Sequence, residues 1–324
     1  MHLFAPPLKR QFCFASILFF AFAIPRATVA SSSAHQHDSV STEPSFQPVT
    51  SSGDAIAQFK LAYSQLFDPY TQHANSDYAT GLRLLRSSAS QHFAPAQFFL
   101  GYAYEHGQGV PVDYAQAAEN YRAAALQGYP AAENNLCALY YHGFGVPKDL
   151  TLAFEYCRSA ALHGSSVGQY HLGSFYYFGY GTARDVAKAV EWFRAAAEHG
   201  FAAAQLNLAN FYSEGTGVPI DFSEAAHWAK LAAEQGVSEA ASKYAYLCEN
   251  GIGVPRDYVA AYLWYSRAVA EGDKSAAARA KAVSRHLSRS EREQAKSTLA
   301  AEAARPTQPS ARGASSDLSL TASP

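Results

Sequence analysis

Few residues in this chain are spaced as chemistry requires. Gly164-Ser165-Ser166-Val167-Gly168 matches the Gly-x-Ser-x-Gly pattern of a serine nucleophile. Such a nucleophile needs a strand before it and a helix after it. Here the pattern falls where other copies of a repeated unit carry an ordinary turn between helices, such as Gly200-Phe201, so it reads as a turn. No Ser-x-x-Lys pair occurs. The chain has 12 histidines, yet none forms His-Glu-x-x-His or a Cys/His zinc spacing. His106 and His142 share a register one unit apart, which places them ~10 Å from each other by ordinary helix packing. That is too far for two ligands of one metal, and they read as helix-end histidines near the C-terminal dipole. A glycine-rich stretch recurs, but it lacks the Lys-Ser/Thr of a P-loop and follows a helix rather than a strand. These patterns predict no catalytic residue, no metal and no cofactor.

The recurring stretch is Gly-x-Gly-Val-Pro-x-Asp. It occurs at Gly107, Gly109 and Asp113, at Gly143, Gly145 and Asp149, at Gly215, Gly217 and Asp221, and at Gly251, Gly253 and Asp257. A variant without Val and Pro fills the gap at Gly179, Gly181 and Asp185. The step from Gly107 to Gly143 is 36 residues, and the same step leads on to Gly179, Gly215 and Gly251. A period of that size marks a stack of small units, each burying its apolar face on the next.

The motif predicts its own structure. The first Gly ends a helix with positive φ, the second turns the chain again without a Cβ clash, and Pro stops the helix from continuing. Asp caps the next helix. Before the motif, Leu100, Leu136, Leu172, Leu208 and Tyr244 share one position, and Tyr104, Tyr140, Tyr176, Tyr212 and Cys248 another, four residues on. These are neighbours on one helical stripe. After it, Ala117, Ala153, Ala189, Ala225 and Ala261 form a line of small residues that permits close helix approach, and Gly128, Gly164, Gly200, Gly236 and Gly272 end the second helices.

The chain has 324 residues, 48% hydrophobic and 14% aromatic, with a net charge of −2. That is material for one elongated array. No basic patch argues for nucleic acid. Lys9 and Arg10, the apolar run from Phe12 to Ile24, and Thr28-Val29-Ala30 follow the order of a secretory signal peptide. The expected organisation is a signal peptide over 1–30, a flexible linker over 31–53, a degenerate capping unit over 54–94 (with Asp77 in the cap position), five units over 95–274, capping helices over 275–304 and a disordered tail over 305–324. A capping box at Ser290-x-x-Glu293 is expected to start the last helix. The signal implies a periplasmic or secreted chain with no membrane span once it is removed.

Ala-x-x-x-Leu-Gly-x-x-Tyr-x-x-Gly (as at Gln169 to Gly179), then Gly-Val-Pro-x-Asp, then paired aromatics and alanines such as Trp192-Phe193 with Ala196-Ala197, resemble the Sel-one-like repeat, a relative of the tetratricopeptide repeat. The resemblance covers about Asp54 to Gly272. It implies an all-α fold, an α/α superhelical solenoid of helical hairpins with the first helices lining the concave side. It further implies a non-enzymatic adaptor or scaffold for a protein or peptide partner. Some cysteine-rich secreted relatives handle cell-wall fragments or bind β-lactams, which is the alternative reading. Self-association is a third.

Cys137 takes a register held elsewhere by Gly101, Gly173, Ala209 and Ala245, and Cys157 one held by Tyr121, Phe193, Ala229 and Tyr265. A small residue on the first helix thus receives a bulky one from the second. Cys137 and Cys157 therefore face each other, either as a disulfide in an oxidising compartment or as two buried thiols; Cys248 reads as a lone buried thiol. If the Leu136 stripe points inward, the opposite stripe carries Asn135 and, in the other units, Phe99, Tyr102, His171, Ser174, Asn207, Asn210, Lys243 and Tyr246, flanked by Asn134 and Tyr170. An amide both donates and accepts, and tyrosine adds flat contact area. This stripe is the predicted binding groove.

Overall fold

A computed structural model describes residues 54–67 and 78–304. The expected signal peptide, linker and tail, and Asp77, lie outside the described residues. Those residues form fourteen α-helices and one 3-10 turn, with no strand among them. Six hairpins follow in order: α1 (Asp54–Leu66) with α2 (Tyr78–Ser90), α3 (Ala94–His106) with α4 (Tyr114–Ala125), α5 (Pro130–His142) with α6 (Leu150–Leu162), α7 (Ser166–Phe178) with α8 (Val186–Glu198), α9 (Ala202–Glu214) with α10 (Phe222–Glu234), and α11 (Ser238–Asn250) with α12 (Tyr258–Ala270). Then come α13 (Ala276–Val283), the 3-10 turn Ser284–His286 and α14 (Arg289–Ala303). Each helix packs on the one before and the one after it through α13, and α14 folds back on α12.

The core follows the sequence registers. Leu136, Leu172 and Leu208 are fully buried, as are all five alanines of the second-helix line. The lines of alanine matter because a side chain no larger than a methyl lets helix backbones approach closely, at little conformational cost.

The turn between helices works as a clamp. Gly143 takes φ +79 and caps α5, its N–H donating to the Leu139 carbonyl at 2.8 Å. Phe144 N–H donates to the same carbonyl at 3.0 Å, and Asp149 N–H returns to the Tyr140 carbonyl at 3.0 Å. The Asp149 carboxylate then accepts from Leu152 N–H at 2.9 Å to start α6. All five turns repeat this arrangement, each with a left-handed glycine at the end of the first helix and an aspartate accepting at the start of the second. The variant turn at Gly179 to Asp185, without Val or Pro, takes the same form.

The second glycine does something the sequence did not reveal. It lies against the second helix of the preceding hairpin. A Cβ on Gly145 would sit 2.2 Å from the carbonyl carbon of Tyr114, the first residue of α4, and those of Gly181 and Gly253 would fall 2.0 Å from the oxygens of Leu150 and Phe222. The turn thereby joins consecutive units backbone to backbone.

Cys137 and Cys157 form a disulfide across the α5–α6 hairpin. At the same position in other hairpins, Tyr121 lies over Gly101 and Phe193 over Gly173 so closely that a Cβ on either glycine would meet the ring at 2.8 and 3.0 Å. Cys248 is free and buried. The expected capping box at Ser290 and Glu293 is corrected: Ser288 caps α14, accepting from Glu291 N–H at 3.2 Å, while the Glu291 carboxylate accepts from Ser288 N–H at 2.7 Å. Two Ser-x-x-Glu pairs overlap there, and buried Leu287 fixes the chain where the earlier one can start the helix.

Two stability measurements follow. Gly200→Ala meets no atom within 4 Å and bears only the left-handed backbone, a cost of about 1 kcal/mol; Gly145→Ala adds a backbone collision and should cost about 3 kcal/mol or more in urea unfolding. In denaturant, the chain lacking residues 1–30 should titrate one thiol, Cys248, and three after reduction.

Candidate functional site

The stripe opposite the Leu136 register is only partly a surface. Asn134, Tyr170, His171 and Ser174 are buried, and so is Ala138. The expectation that these residues line an open groove is therefore corrected. The cause is packing: α5 and α7 approach one another directly, because the residues that would hold them apart are the small Ala138 and Ser174, where other units have Tyr102, Asn210 and Tyr246. Ser174 turns its hydroxyl back to the Tyr170 carbonyl at 3.1 Å. Phe99 is half-buried within an aromatic cluster, with Phe59, Tyr63, Phe67 and Phe98 rings all within 5.5 Å of its own.

The polar members of the stripe tie units together. Asn134 donates to the Ser165 hydroxyl at 2.6 Å. Asn207 lies beside the Tyr170 hydroxyl, and Asn135 beside that of Tyr121, which donates to Glu105. The register of Asn134 meets the residue before the next hairpin in several units, with different chemistry each time. Phe98 lies on Tyr129 with rings 5.2 Å apart, Tyr170 on Phe201 at 4.9 Å, and Ser242 donates to Asp273 at 2.5 Å.

A second ladder escaped the sequence reading. Near the start of four first helices, α3, α5, α7 and α9, a buried Gln or Glu meets a residue at the end of the second helix of the same hairpin. Gln127 donates to Gln97 at 2.7 Å, His199 meets Gln169 at 2.9 Å, and Gln235 donates to Gln205 at 2.8 Å. In the α5–α6 hairpin the rung is a carboxyl with an imidazole: buried Glu133 accepts from the Ser159 hydroxyl at 2.6 Å and meets His163 Nδ1 at 2.9 Å. The 36-residue recurrence of Gln97, Glu133, Gln169 and Gln205 was the available signal.

What remains accessible on the stripe is mostly in its C-terminal half. Tyr246 is exposed, and Asn207, Asn210 and Lys243 are half-buried. Burial holds the Lys243 ammonium below its ordinary pKa, against the opposing pull of Glu214 and Glu239. At the N-terminal end Tyr102 is half-buried and stacks on His106 at 3.9 Å. Burial, with Glu105 and Tyr63 nearby, raises its phenol pKa.

No enzymatic arrangement emerges from the serine pattern. Ser165 is the N-cap of α7, its hydroxyl accepting from Gly168 N–H at 3.1 Å and from Asn134. Among the described residues, no group of three or more His, Cys, Asp or Glu is placed to hold a metal ion, and no helix is long and apolar enough to cross a membrane.

Stacked hairpins of this form, closed by glycine turns and aspartate caps, define an α/α repeat solenoid of the kind that presents surfaces to other proteins. The Sel1 repeat model matches residues 55–93, 94–129, 130–165, 166–201, 202–237 and 238–273. The chain belongs to the Sel1 repeat family, and the hairpin expected as a degenerate capping repeat is one of the six matched. It is similar to a protective antigen of uropathogenic Escherichia coli strains that displays an SLR fold, with 34% identity and a TM-score of 0.67 over 71% of this chain and 48% of that one. The match thus spans about half of that relative. A Sel1 repeat protein from Oxalobacter formigenes is 29% identical with a TM-score of 0.59, over 69% of this chain and 84% of that one. No curated protein matches the chain.

His171 gives a pH test of the corrected packing. Complete burial lowers its pKa from 6.5 to about 4, so the fold holds the neutral ring. Its contribution is complete above pH ~6.5, declines as pH falls and the unfolded chain takes the proton first, and is gone below pH ~4. Between those limits the wild type should lose about 3 kcal/mol more unfolding free energy than His171→Asn, the residue at this register in the neighbouring units. Equal losses would return His171 to the surface.

Proposed function

We propose that this chain is a non-enzymatic scaffold of the cell envelope or secreted space, periplasmic or secreted, holding a peptide or protein segment on the accessible part of its first-helix stripe. Sel1 repeat proteins are generally protein-interaction scaffolds, which gives the class. One observation carries the site: Asn207 and Asn210 on α9 and Lys243 and Tyr246 on α11 keep solvent access on successive first helices, while their counterparts on α5 and α7 are largely packed away. Amides that donate and accept, a cation and a flat ring suit an extended segment whose own backbone needs partners. Two features support the location: the order of charge, apolar run and small residues before Ser31, and a disulfide, which persists in oxidising compartments. The alternative drawn from cysteine-rich relatives has one bridged hairpin behind it, and Ser165 is engaged in a helix cap.

Crosslinking in intact cells, followed by recovery of the chain, tests this. The wild type should bring down a partner from the envelope fraction, and Asn210→Ala with Lys243→Ala and Tyr246→Ala should reduce recovery at least about tenfold, the loss of ~1.4 kcal/mol of binding. Undiminished recovery by the triple variant would remove the stripe as the site.

A further inference from the structure

The junction between the last hairpin and α13 departs from the others. In steps of 36 residues, α13 continues the line of first helices: Ala276 follows Ala240 and Val283 follows Leu247, and all four are buried. Tyr258, at the head of α12, meets His286 much as Tyr114, at the head of α4, meets Phe144. α13 is therefore seated on α12 as a further first helix would be.

Three side chains that fill this junction elsewhere are cut short here. Ala280 follows Leu136, Leu172, Leu208 and Tyr244; Ser284 follows Tyr140, Tyr176, Tyr212 and Cys248; Ser266 follows Arg122, Arg158, Arg194 and Lys230. Between α4 and α5, Arg122 donates to the Tyr140 hydroxyl at 2.8 Å and sets its guanidinium 5.7 Å from the centre of that ring. Between α8 and α9, Arg194 meets Tyr212 in the same way. Packed interiors leave few voids larger than a water molecule. A junction that gives up a tyrosine, a leucine and an arginine leaves one: a cleft of about 390 Å³ between α12 and α13. Space of that order takes a small organic ligand.

The lining narrows which ligand. Val269 and Ala280 give it apolar wall, Tyr262 and Ser266 bring hydroxyls, and Lys281 is the one charged residue in it. Among the described residues the Lys281 ammonium has no carboxylate partner, and the Tyr262 and Ser266 hydroxyls make no hydrogen bond. The carboxylates on neighbouring helices are engaged elsewhere, Glu249 with Arg279 and Glu302 with Arg267. Lys281 stands at the register of Cys137 and Ala245, where the second helix of a hairpin would press; α14 packs on α12 instead, which leaves room for the long side chain. An ammonium and two hydroxyl donors beside an apolar wall suit a carboxylate on an apolar body. The vacated space is that of a tyrosine ring, so the body it fits is flat.

We propose that this cleft binds a small aromatic carboxylic acid, with the ring in the space that Tyr140 fills between α4 and α5 and the carboxylate on Lys281. The site shares no residue with the first-helix stripe and stands or falls without it. The probe is 3-phenylpropanoate, titrated into the isotope-labelled full chain and followed by NMR, beside its neutral amide, the matching amine 3-phenylpropylamine and the ring-free acid hexanoate. The aromatic acid should bind saturably, shift signals of α12 and α13, and bind at least about tenfold more tightly than the amide, the amine or hexanoate. Lys281→Gln should reduce its affinity to that of the amide at unchanged melting temperature. Ser266→Arg with Ser284→Tyr, the pair that other junctions carry, should abolish binding. Should that double variant not fold, Lys281→Gln, at an exposed position, still decides. No saturable binding, shifts confined to other helices, equal binding of the amide, the amine or hexanoate, or full binding by either variant would each overturn the proposal. So would tighter binding of the peptide Gly-Gly-Phe than of the free acid, since the cleft would then seat the end of a partner chain.

Discussion

The array rests on a backbone approach that leaves room for a hydrogen and nothing larger. Where Gly145 passes Tyr114, and Gly181 passes Leu150, a side chain of any size would collide with main-chain atoms of the previous hairpin. Hydrophobic burial is non-directional. It would hold hairpins together at many relative rotations. The glycine contact is directional, and it recurs where Gly253 passes Phe222, while Gly109 and Gly217 pass closest to the side chains of Leu82 and Val186. Spacing and rotation between units are therefore set at the turns, and the buried alanines fill the space that this leaves.

That division explains what could be read from the residues. A feature internal to one hairpin shows in its sequence. The left-handed caps at Gly107 and Gly143, the aspartate caps, and the pairing of Cys137 with Cys157 each depend on two helices joined by a short turn. They repeat at fixed spacing, so the copies annotate one another. A feature that depends on how closely separate units approach does not show this way. Asn134, Tyr170, His171 and Ser174 occupy the same registers as half-exposed residues in other units, and contacts between elements bury them: Ser165 against Asn134, Phe193 and Phe201 against Tyr170, and the approach of α5 and α7. The displaced capping box has a different origin. Two overlapping Ser-x-x-Glu pairs compete, and the burial of Leu287 decides between them.

Within this fixed geometry, side-chain chemistry varies freely. The junction between consecutive units is aromatic at Phe98 and Tyr129, an amide on a hydroxyl at Asn134 and Ser165, and a hydroxyl on a carboxylate at Ser242 and Asp273. The rung inside four of the hairpins is an amide pair in two, an amide with imidazole in a third and a carboxylate with imidazole in the fourth. Each solution pairs buried polar groups locally, as burial favours, although the amide oxygen of Asn134 is left without a hydrogen bond. The scaffold thus tolerates a separate choice in every unit, and residues that differ between units at one register are where a function particular to this chain can be sought.

The C-terminal end shows one more use of that tolerance. His286, in the 3-10 turn after α13, stacks on Tyr258 at 4.5 Å with planes 12° apart, in the manner of Phe144 on Tyr114. The histidine impersonates the turn of a seventh unit. The last hairpin therefore offers no vacant berth on that edge, and Arg267, held by Glu302 of α14 at 2.6 Å and lying over Trp264, closes the neighbouring flank. A stack that could in principle be extended without limit is stopped by a counterfeit of its own next piece.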